Sequence, residues 1–238
     1  MSDKQGPSAH SRPTRTALTS WSQFKGYLES RGSTLVATVV IIAGQTWLAN
    51  SLALRPVWVF PVLSGVLLIT SMAVYQSDLG EPSRAVKWLA RGLVGFLALE
   101  NALCLLLLVR GSFVKSPLDP LGLLLAGVVL WAVNIAVFAL AYWEFDGGGP
   151  EDRARDSGTF PDLVFPQQQA DQEGLAPEDW KPGFLDYAYV SLTAATAFSP
   201  TDAMPYSTTA KLIMGSESTI SIAIAAMVVA RAVNIAKG

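Results

Sequence analysis

The apolar stretch LGLLLAGVVLWAVNIAVFALAY, from Leu121 to Tyr142, is the clearest indication of fold class in this chain. It contains no charged side chain, and it is long enough to cross about 30 Å of hydrocarbon as a helix, which takes roughly 20 apolar residues. Soluble domains carry about a quarter charged residues, whereas this chain of 238 residues is 15% charged and 51% hydrophobic. The stretch therefore predicts a membrane-spanning helix.

Four further stretches are apolar over a similar length. They are Thr34–Leu54, Val57–Tyr75, Leu89–Val109 and Ala210–Asn234. Each comes close to or exceeds the roughly 20 residues that a spanning helix needs. Together the five stretches predict an all-α integral membrane protein with about five transmembrane helices. Such a protein has the lipid bilayer as a partner.

Two residue counts exclude whole classes of chemistry. The chain has one cysteine, Cys104, and one histidine, His10, which excludes His/Cys metal clusters and every catalytic arrangement that needs a histidine base. Carboxylates alone, without a serine elbow or metal-ligand spacing, do not support a membrane enzyme. The net charge of −2 provides no broadly basic surface for nucleic acid. We therefore expect neither enzymatic activity, nor a cofactor or metal, nor a nucleic-acid partner.

The charged residues divide the chain into four segments. Residues 1–31 form a polar, basic N-terminal segment, and residues 32–143 form a four-helix transmembrane region. Residues 144–183 are rich in Asp and Glu and predict an irregular, solvated acidic loop outside the membrane. Glycines at its start, followed by Pro150, end the preceding helix. Residues 184–238 form the fourth segment.

The fourth segment begins with a helix that is too short to cross a membrane. Asp186–Ala197 predicts about 12 helical residues, or about 18 Å, little more than half of the hydrocarbon thickness. Two prolines and an aspartate break the helix before the last span. Irregular backbone at membrane depth has to be covered by protein or face water, so the pattern predicts a re-entrant half-helix and loop before the last span. The candidate constriction residues are Thr193, Thr196, Phe198, Ser199, Pro200, Thr201 and Asp202.

Polar and ionisable side chains inside the predicted spans mark further candidate positions, because such groups are costly at membrane depth. They are Glu100, Asn101, Asn134, Glu217 and Ser221. Two interpretations of Glu100 stay open. One is a structural hydrogen bond to Asn134 or Gln45, and the other is a role in transport.

The last span carries many small residues. Ala223, Ala225 and Ala226 favour close packing against another helix. Glu217 and Ser221, on the same helix, are candidates for a water-lined path beside the re-entrant loop. The small residues therefore predict packing, and the two polar ones a hydrated face.

Several runs in the C-terminal half resemble a known family. They are Trp143-Glu144-Phe145-Asp146-Gly147-Gly148, Phe165-Pro166-Gln167, Phe184-Leu185-Asp186-Tyr187-Ala188-Tyr189-Val190-Ser191-Leu192-Thr193, Ala197-Phe198-Ser199-Pro200-Thr201-Asp202 and Ala230-Arg231-Ala232-Val233-Asn234. Together they resemble uncharacterised bacterial membrane proteins akin to domain-of-unknown-function family thirteen forty-five, in which an aromatic D-x-x-Y-x-S segment precedes the final helix. The resemblance implies a multi-pass protein of the bacterial cytoplasmic (inner) membrane, and it implies no particular activity.

The same region resembles, more distantly, the pore module of tetrameric potassium channels, in which a short pore helix, a filter, an Asp and a Pro precede a helix. Thr193-Ala194-Ala195-Thr196, Asp202 and Pro205 follow that order. The filter glycines, which let successive carbonyls point at the ion, are missing. The resemblance therefore implies either a homo-oligomeric pore for small ions that is not selective for potassium, or a closed relic of a pore fold.

Orientation follows from the basic residues. With the N-terminus in the cytoplasm, the Lys and Arg residues assigned to the inside outnumber those outside, as expected for membrane proteins. This puts the acidic loop and the entrance of the re-entrant loop inside. The pore loop of potassium channels enters from the outside, so the two interpretations conflict.

Two hypotheses of function come from these patterns. The first is a pore-loop ion channel or a small-ion permease, with Thr196–Asp202 at the constriction. The second is a non-transporting scaffold or accessory subunit that binds a partner through its acidic loop. A channel of this kind surrounds an axis and forms a homo-oligomer, whereas a scaffold can be monomeric.

Overall fold

The computed structural model describes residues 20–77, 84–113, 118–155, 158–170, 180–196 and 203–237. In chain order the helices are α1 (Ser20–Ser51), α2 (Val59–Ser77), α3 (Arg84–Phe113), α4 (Pro120–Phe145), α5 (Pro150–Arg155), α6 (Pro166–Ala170), α7 (Phe184–Thr196) and α8 (Thr208–Lys237). Two short strands, β1 (Leu163–Val164) and β2 (Met204–Pro205), pair antiparallel, with Leu163 opposite Pro205.

Within the described residues, four helices are long and apolar enough to cross a membrane, and each overlaps a predicted span. Their apolar parts are Gly32–Ser51 in α1, Arg84–Gly111 in α3, Pro120–Gly148 in α4 with the turn after it, and Thr208–Ala236 in α8. The prediction of a multi-pass, α-helical membrane protein is thereby confirmed, and the two short strands are an addition to it.

The predicted second span, Val57–Tyr75, corresponds to α2. This helix has 19 residues, and its apolar part, Val59–Ala73, is shorter than the roughly 20 residues that cross the hydrocarbon of a bilayer. α2 packs against α3 and α1. Whether α2 crosses as a fifth span stays a prediction.

α4 lies at the centre of the bundle and packs against α1, α3, α7 and α8. Two glycines let its neighbours approach closely. A Cβ on Gly44 of α1 would lie 2.7 Å from Cγ2 of Val133, and a Cβ on Gly127 of α4 would lie 2.6 Å from Cγ2 of Val228 on α8. Side chains at these two positions would force the helices apart.

Specific local signals define both ends of α4. At its start, Asp119 caps the helix by accepting a hydrogen bond from the Gly122 N–H at 2.8 Å, and a proline occupies the first helical position. At its end, Gly147 and Gly148 have backbone φ angles of 55° and 83°, which residues other than glycine rarely adopt. The glycines end the helix, as the sequence predicts.

The segment after α4 is more ordered than the sequence analysis expected. Its described part contains α5, β1 and α6, and Asp146 at its start is buried. Lys87 of α3 forms an ion pair with Asp152 at 2.5 Å. The prediction of an irregular, solvated acidic loop is therefore wrong for Asp146 and Asp152, because their carboxylates bond to other parts of the same chain.

α7 runs antiparallel to α4. Near the start of α7, Tyr187 bonds to Asp146, just beyond the end of α4. One turn later, Ser191 bonds to the carbonyl of Ile135, well inside α4. α7 thus enters the bundle from the end at which α4 finishes.

α8 also runs antiparallel to α4, and therefore in the same direction as α7. Glu217 bonds to Tyr142 near the end of α4, and Ser221, one turn further along α8, bonds to Asn134 deeper in α4. The strand β2, which leads into α8, pairs with β1 of the loop that follows α4. The chain thus leaves α7 inside the bundle and begins α8 at the end where α7 started.

Candidate functional site

α7 starts at a side-chain cap and continues into a cleft between α4 and α8. The Asp186 carboxylate accepts a hydrogen bond from the Gly183 N–H at 2.7 Å, so it satisfies a free N–H at the helix start. Farther in, Ala194 and Ala195 are buried, and Ser218 of α8 donates to the Ala194 carbonyl at 3.2 Å. The small residues on this face of α7 let it lie close to its neighbours.

The carboxyl group of Glu217 lies where α4, α7 and α8 meet, and its residue is completely buried. The Tyr142 hydroxyl donates to its Oε2 at 2.5 Å, and the Ser191 hydroxyl bonds to its Oε1. Glu217 therefore connects three helices and does not line a water-filled path within the described chain. The prediction of a hydrated face for Glu217 is wrong for this structure.

A row of amide and hydroxyl groups continues from this point across the bundle. Asn134 donates to the Ser221 hydroxyl at 3.0 Å, and Asn101 of α3 donates to Asn134 at 2.8 Å. All three residues are buried, so Ser221, like Glu217, faces protein. Four of the five predicted intramembrane polar residues thus form two adjoining clusters, one turn apart on α8.

Glu100 is the fifth predicted residue, and it lies apart from these clusters. Its predicted partners bond elsewhere, because Asn134 bonds to Asn101 and Ser221, and Gln45 donates to the Leu97 carbonyl at 2.7 Å. A structural hydrogen bond from Glu100 to Asn134 or Gln45 is therefore not what the structure shows. Glu100 itself is buried.

A second carboxyl group, that of Asp146, holds the outer end of α7. Its Oδ1 accepts hydrogen bonds from the N–H groups of Asp162 and Leu163 at 2.7 and 2.9 Å. Its Oδ2 accepts one from the Tyr187 hydroxyl at 2.6 Å. The residue is 2% exposed. Asp146 thus joins the end of α4, the strand β1 and α7 at one point.

Arg153 covers this outer cluster. Its guanidinium donates to the carbonyls of Trp143 and Asp146 at 2.9 and 2.5 Å. The same group lies 4.8 Å from the ring centroid of Trp143 and 5.1 Å from that of Tyr187, a cation–π arrangement. Burial raises the pKa of Tyr187 above the usual range of a phenol, so its hydroxyl keeps the proton that it donates to Asp146.

The candidate constriction residues fall into two groups. Thr193 and Thr196 lie on α7, partly buried, and their hydroxyls bond to carbonyls of α7 itself, for example Thr193 to Val190 at 2.9 Å and Thr196 to Leu192 at 3.0 Å. The other five, Phe198, Ser199, Pro200, Thr201 and Asp202, lie outside the described residues.

The packing predicted for the alanines of the last helix is not found among the residues that the structure describes. Ala223, Ala225 and Ala226 are exposed. In the most apolar stretch of α8, only 11% of the residues are buried within the protein. The large side chains on its outer surface, such as Leu212 and Val229, are exposed as well. Apart from its polar inner face, α8 thus presents an apolar surface, as expected beside lipid.

Four residues of the site were not among those predicted from the sequence, namely Tyr142, Asp146, Arg153 and Ser191. One signal was available in the run Trp143-Glu144-Phe145-Asp146-Gly147-Gly148, where a carboxylate stands beside glycines at a helix end. The pairing of Tyr142 with Glu217 joins residues 75 positions apart, and no local spacing reports such a contact.

No protein-family model matches the chain, and neither the curated proteins nor the solved structures contain a match. The two resemblances of the C-terminal half therefore stay predictions.

Proposed function

We propose that this protein forms a pathway for small cations across a membrane, with the connection between α7 and α8 at its narrowest part. The observation that carries the proposal is the parallel course of these two helices. α7 has 13 residues, or about 20 Å of helix, which is less than the roughly 30 Å of bilayer hydrocarbon. A short helix that enters the bundle, followed by a return to the same end, is the arrangement of a re-entrant loop.

In this proposal five helices cross the bilayer, with α2 as the fifth span, and the membrane is the cytoplasmic membrane of a bacterium. The re-entrant segment is α7 together with residues 197–202. α7 is surrounded by protein on the face that carries Ser191 and Ala194, which meets the requirement that non-spanning segments at membrane depth be covered.

The charge of the constriction comes from Asp202. Rings of carboxylates select cations in pores of this general kind. A homo-oligomer about an axis would bring one Asp202 from each copy into such a ring. The filter glycines of potassium channels are absent from positions 198–201, so we expect no selectivity for potassium.

The test is cation flux into liposomes that contain the purified protein. Asp202→Asn removes the charge at nearly constant size, and it should reduce cation flux or shift the reversal potential. The matched control is Asp119→Asn at the opposite end of α4, because Asn caps a helix about as well as Asp and flux should stay at the wild-type level. Absence of flux for every tested cation and anion, from a protein that is folded and monomeric, would refute the proposal.

A second candidate function is the binding of a protein partner at the loop end of the bundle. The observation that favours it is a group of exposed large apolar side chains around the β1–β2 pair. Phe160 is 92% exposed, and Met204 and Tyr206 are 59% and 61% exposed. Unlike the acidic side chains of the described loop that bond within the chain, these apolar groups are available for contact.

Substitution separates the two candidates. Phe160→Ser with Tyr206→Ser should abolish capture of a specific partner from membranes and leave flux unchanged if this surface binds a protein. The same pair of substitutions should have no effect on partner recovery if the surface only lies at the membrane interface, where aromatic residues are common.

A further inference from the structure

The Ser191 hydroxyl oxygen lies within hydrogen-bond distance of two other oxygens. One is the Ile135 carbonyl oxygen on α4, at 2.7 Å, and the other is Oε1 of Glu217 on α8. A serine hydroxyl carries a single hydrogen. That hydrogen can serve only one of these two contacts.

Counting hydrogens over the whole cluster gives the protonation state. Three oxygen–oxygen contacts connect Tyr142, Glu217, Ser191 and the Ile135 carbonyl. With an ionised carboxylate, the two hydroxyls supply two hydrogens for three contacts. With a protonated carboxyl group, three hydrogens serve three contacts.

From this count we infer that Glu217 is a proton-binding site and holds a proton in this structure. Tyr142 donates to Oε2, the protonated Oε1 donates to the Ser191 oxygen, and Ser191 donates to the Ile135 carbonyl. An ionised Glu217 would leave two oxygens in close contact with no hydrogen between them. The neutral form also avoids a charge at a fully buried position.

Tyr142 is the titratable residue that bonds directly to Glu217. The other titratable residues on α8, on the elements packed against it, and in the core cluster around Leu130 and Ile224 are Cys104, Glu144, Asp186, Tyr187, Tyr189, Lys211, Arg231 and Lys237. Asp186 and Tyr187 have partners of their own in the Gly183 N–H and in Asp146. Within the described residues, the carboxyl group of Glu217 bonds to the hydroxyls of Tyr142 and Ser191 and forms no ion pair.

The bound proton connects α7 to both neighbouring helices at once. When it leaves, the Ser191 hydrogen can bond to Glu217 on α8 or to Ile135 on α4, and the other contact is lost. Proton binding at Glu217 thus stabilises the position of α7 between α4 and α8. This inference does not depend on whether the protein conducts ions.

The experiment compares wild type with Glu217→Gln and Glu217→Ala in mild detergent. Glutamine copies the protonated acid, because its N–H₂ donates to Ser191 and its carbonyl accepts from Tyr142. Between the ordinary pKa of a glutamate, about 4.3, and the pH at which the folded chain releases the Glu217 proton, the folded chain holds one more proton than the unfolded chain. In that window stability falls as pH rises, by about tenfold in the unfolding equilibrium constant per pH unit. We expect Glu217→Gln to be as stable as wild type at low pH and to lose this dependence on pH, and Glu217→Ala to be less stable throughout.

A direct readout is the infrared carbonyl band of a protonated carboxylic acid at neutral pH. The difference spectrum of wild type minus Glu217→Gln should contain this band. A difference spectrum that contains carboxylate bands in its place would overturn the inference. So would a Glu217→Gln variant that unfolds as readily as Glu217→Ala, because a neutral mimic of the correct state has to preserve the fold.

Discussion

α7 is held at two levels, and each level uses a buried carboxyl group in a different way. At the outer level, Asp146 accepts from two backbone N–H groups and from the Tyr187 hydroxyl. At the inner level, one turn further along α7, Glu217 meets two hydroxyls, and Ser191 is shared with a carbonyl. The three hydrogen-bond partners of Asp146 are all donors. The two hydroxyls around Glu217 supply only two hydrogens for three oxygen–oxygen contacts.

Comparison of the two levels indicates that the hydrogens supplied by the neighbours, and not burial alone, set the charge of a buried carboxyl group. Both residues are almost completely buried. Three donors satisfy Asp146 as a carboxylate, and the Arg153 guanidinium lies next to the same cluster. Glu217 has to supply a hydrogen of its own to complete its cluster. The hydrogen bonds of the outer level are thus complete without an added proton, whereas those of the inner level need the proton on Glu217.

The largest effect is expected at the outer level. Asp146→Ala leaves two N–H groups and the Tyr187 hydroxyl without their acceptor. Each buried donor left unsatisfied costs about 1–3 kcal/mol, so the variant should lose about 3 kcal/mol or more of unfolding free energy in detergent. A loss of less than about 1 kcal/mol would show that the outer level does not hold α7.

A smaller loss is expected at the inner level. Ser191→Ala removes the hydroxyl shared by α4 and α8, and single interhelical hydrogen bonds in membrane proteins contribute about 0.6 kcal/mol on average and up to about 1.7. The control is Thr193→Ala, since that hydroxyl bonds only to carbonyls of α7 itself. Unfolding titrations should show a larger loss for Ser191→Ala than for the control. Equal losses would mean that Ser191 does not connect the helices.

The smallest effect is expected at the edge of the outer level. The Lys87–Asp152 pair is partly exposed, with side chains 24% and 21% accessible, and such pairs contribute about 0–1 kcal/mol. Asp152→Ala should therefore change the unfolding free energy by less than Ser191→Ala, and the change should shrink at high salt. A loss as large as that of Asp146→Ala would show that the ion pair holds the loop as strongly as Asp146 does.

Apolar length was enough to predict the spanning helices, because membrane helices satisfy their backbone groups internally. It was also enough to predict Asn101, Asn134, Glu217 and Ser221 as polar positions inside the spans, but the hydrated face predicted for Glu217 and Ser221 was wrong, because both residues are buried. Their partners were not predictable, since Tyr142 and Ser191 reach Glu217 only through the packing of α4 and α7 against α8. The loop after α4 was misjudged because its composition resembles a solvated segment, and only tertiary contacts reveal that Asp146 is buried.

The proposed re-entrant course means that α7 enters the membrane region and that the chain returns to the same side. Single cysteines can test it, with Phe160→Cys before α7, Tyr206→Cys after it and Trp58→Cys between α1 and α2, each in a Cys104→Ser background. All three native side chains are exposed. An impermeant thiol reagent applied to intact cells should leave Phe160→Cys and Tyr206→Cys both unlabelled, on the cytoplasmic side, and label Trp58→Cys. Labelling of only one of the positions 160 and 206 would contradict the account, because α7 and the connection after it would then cross the membrane.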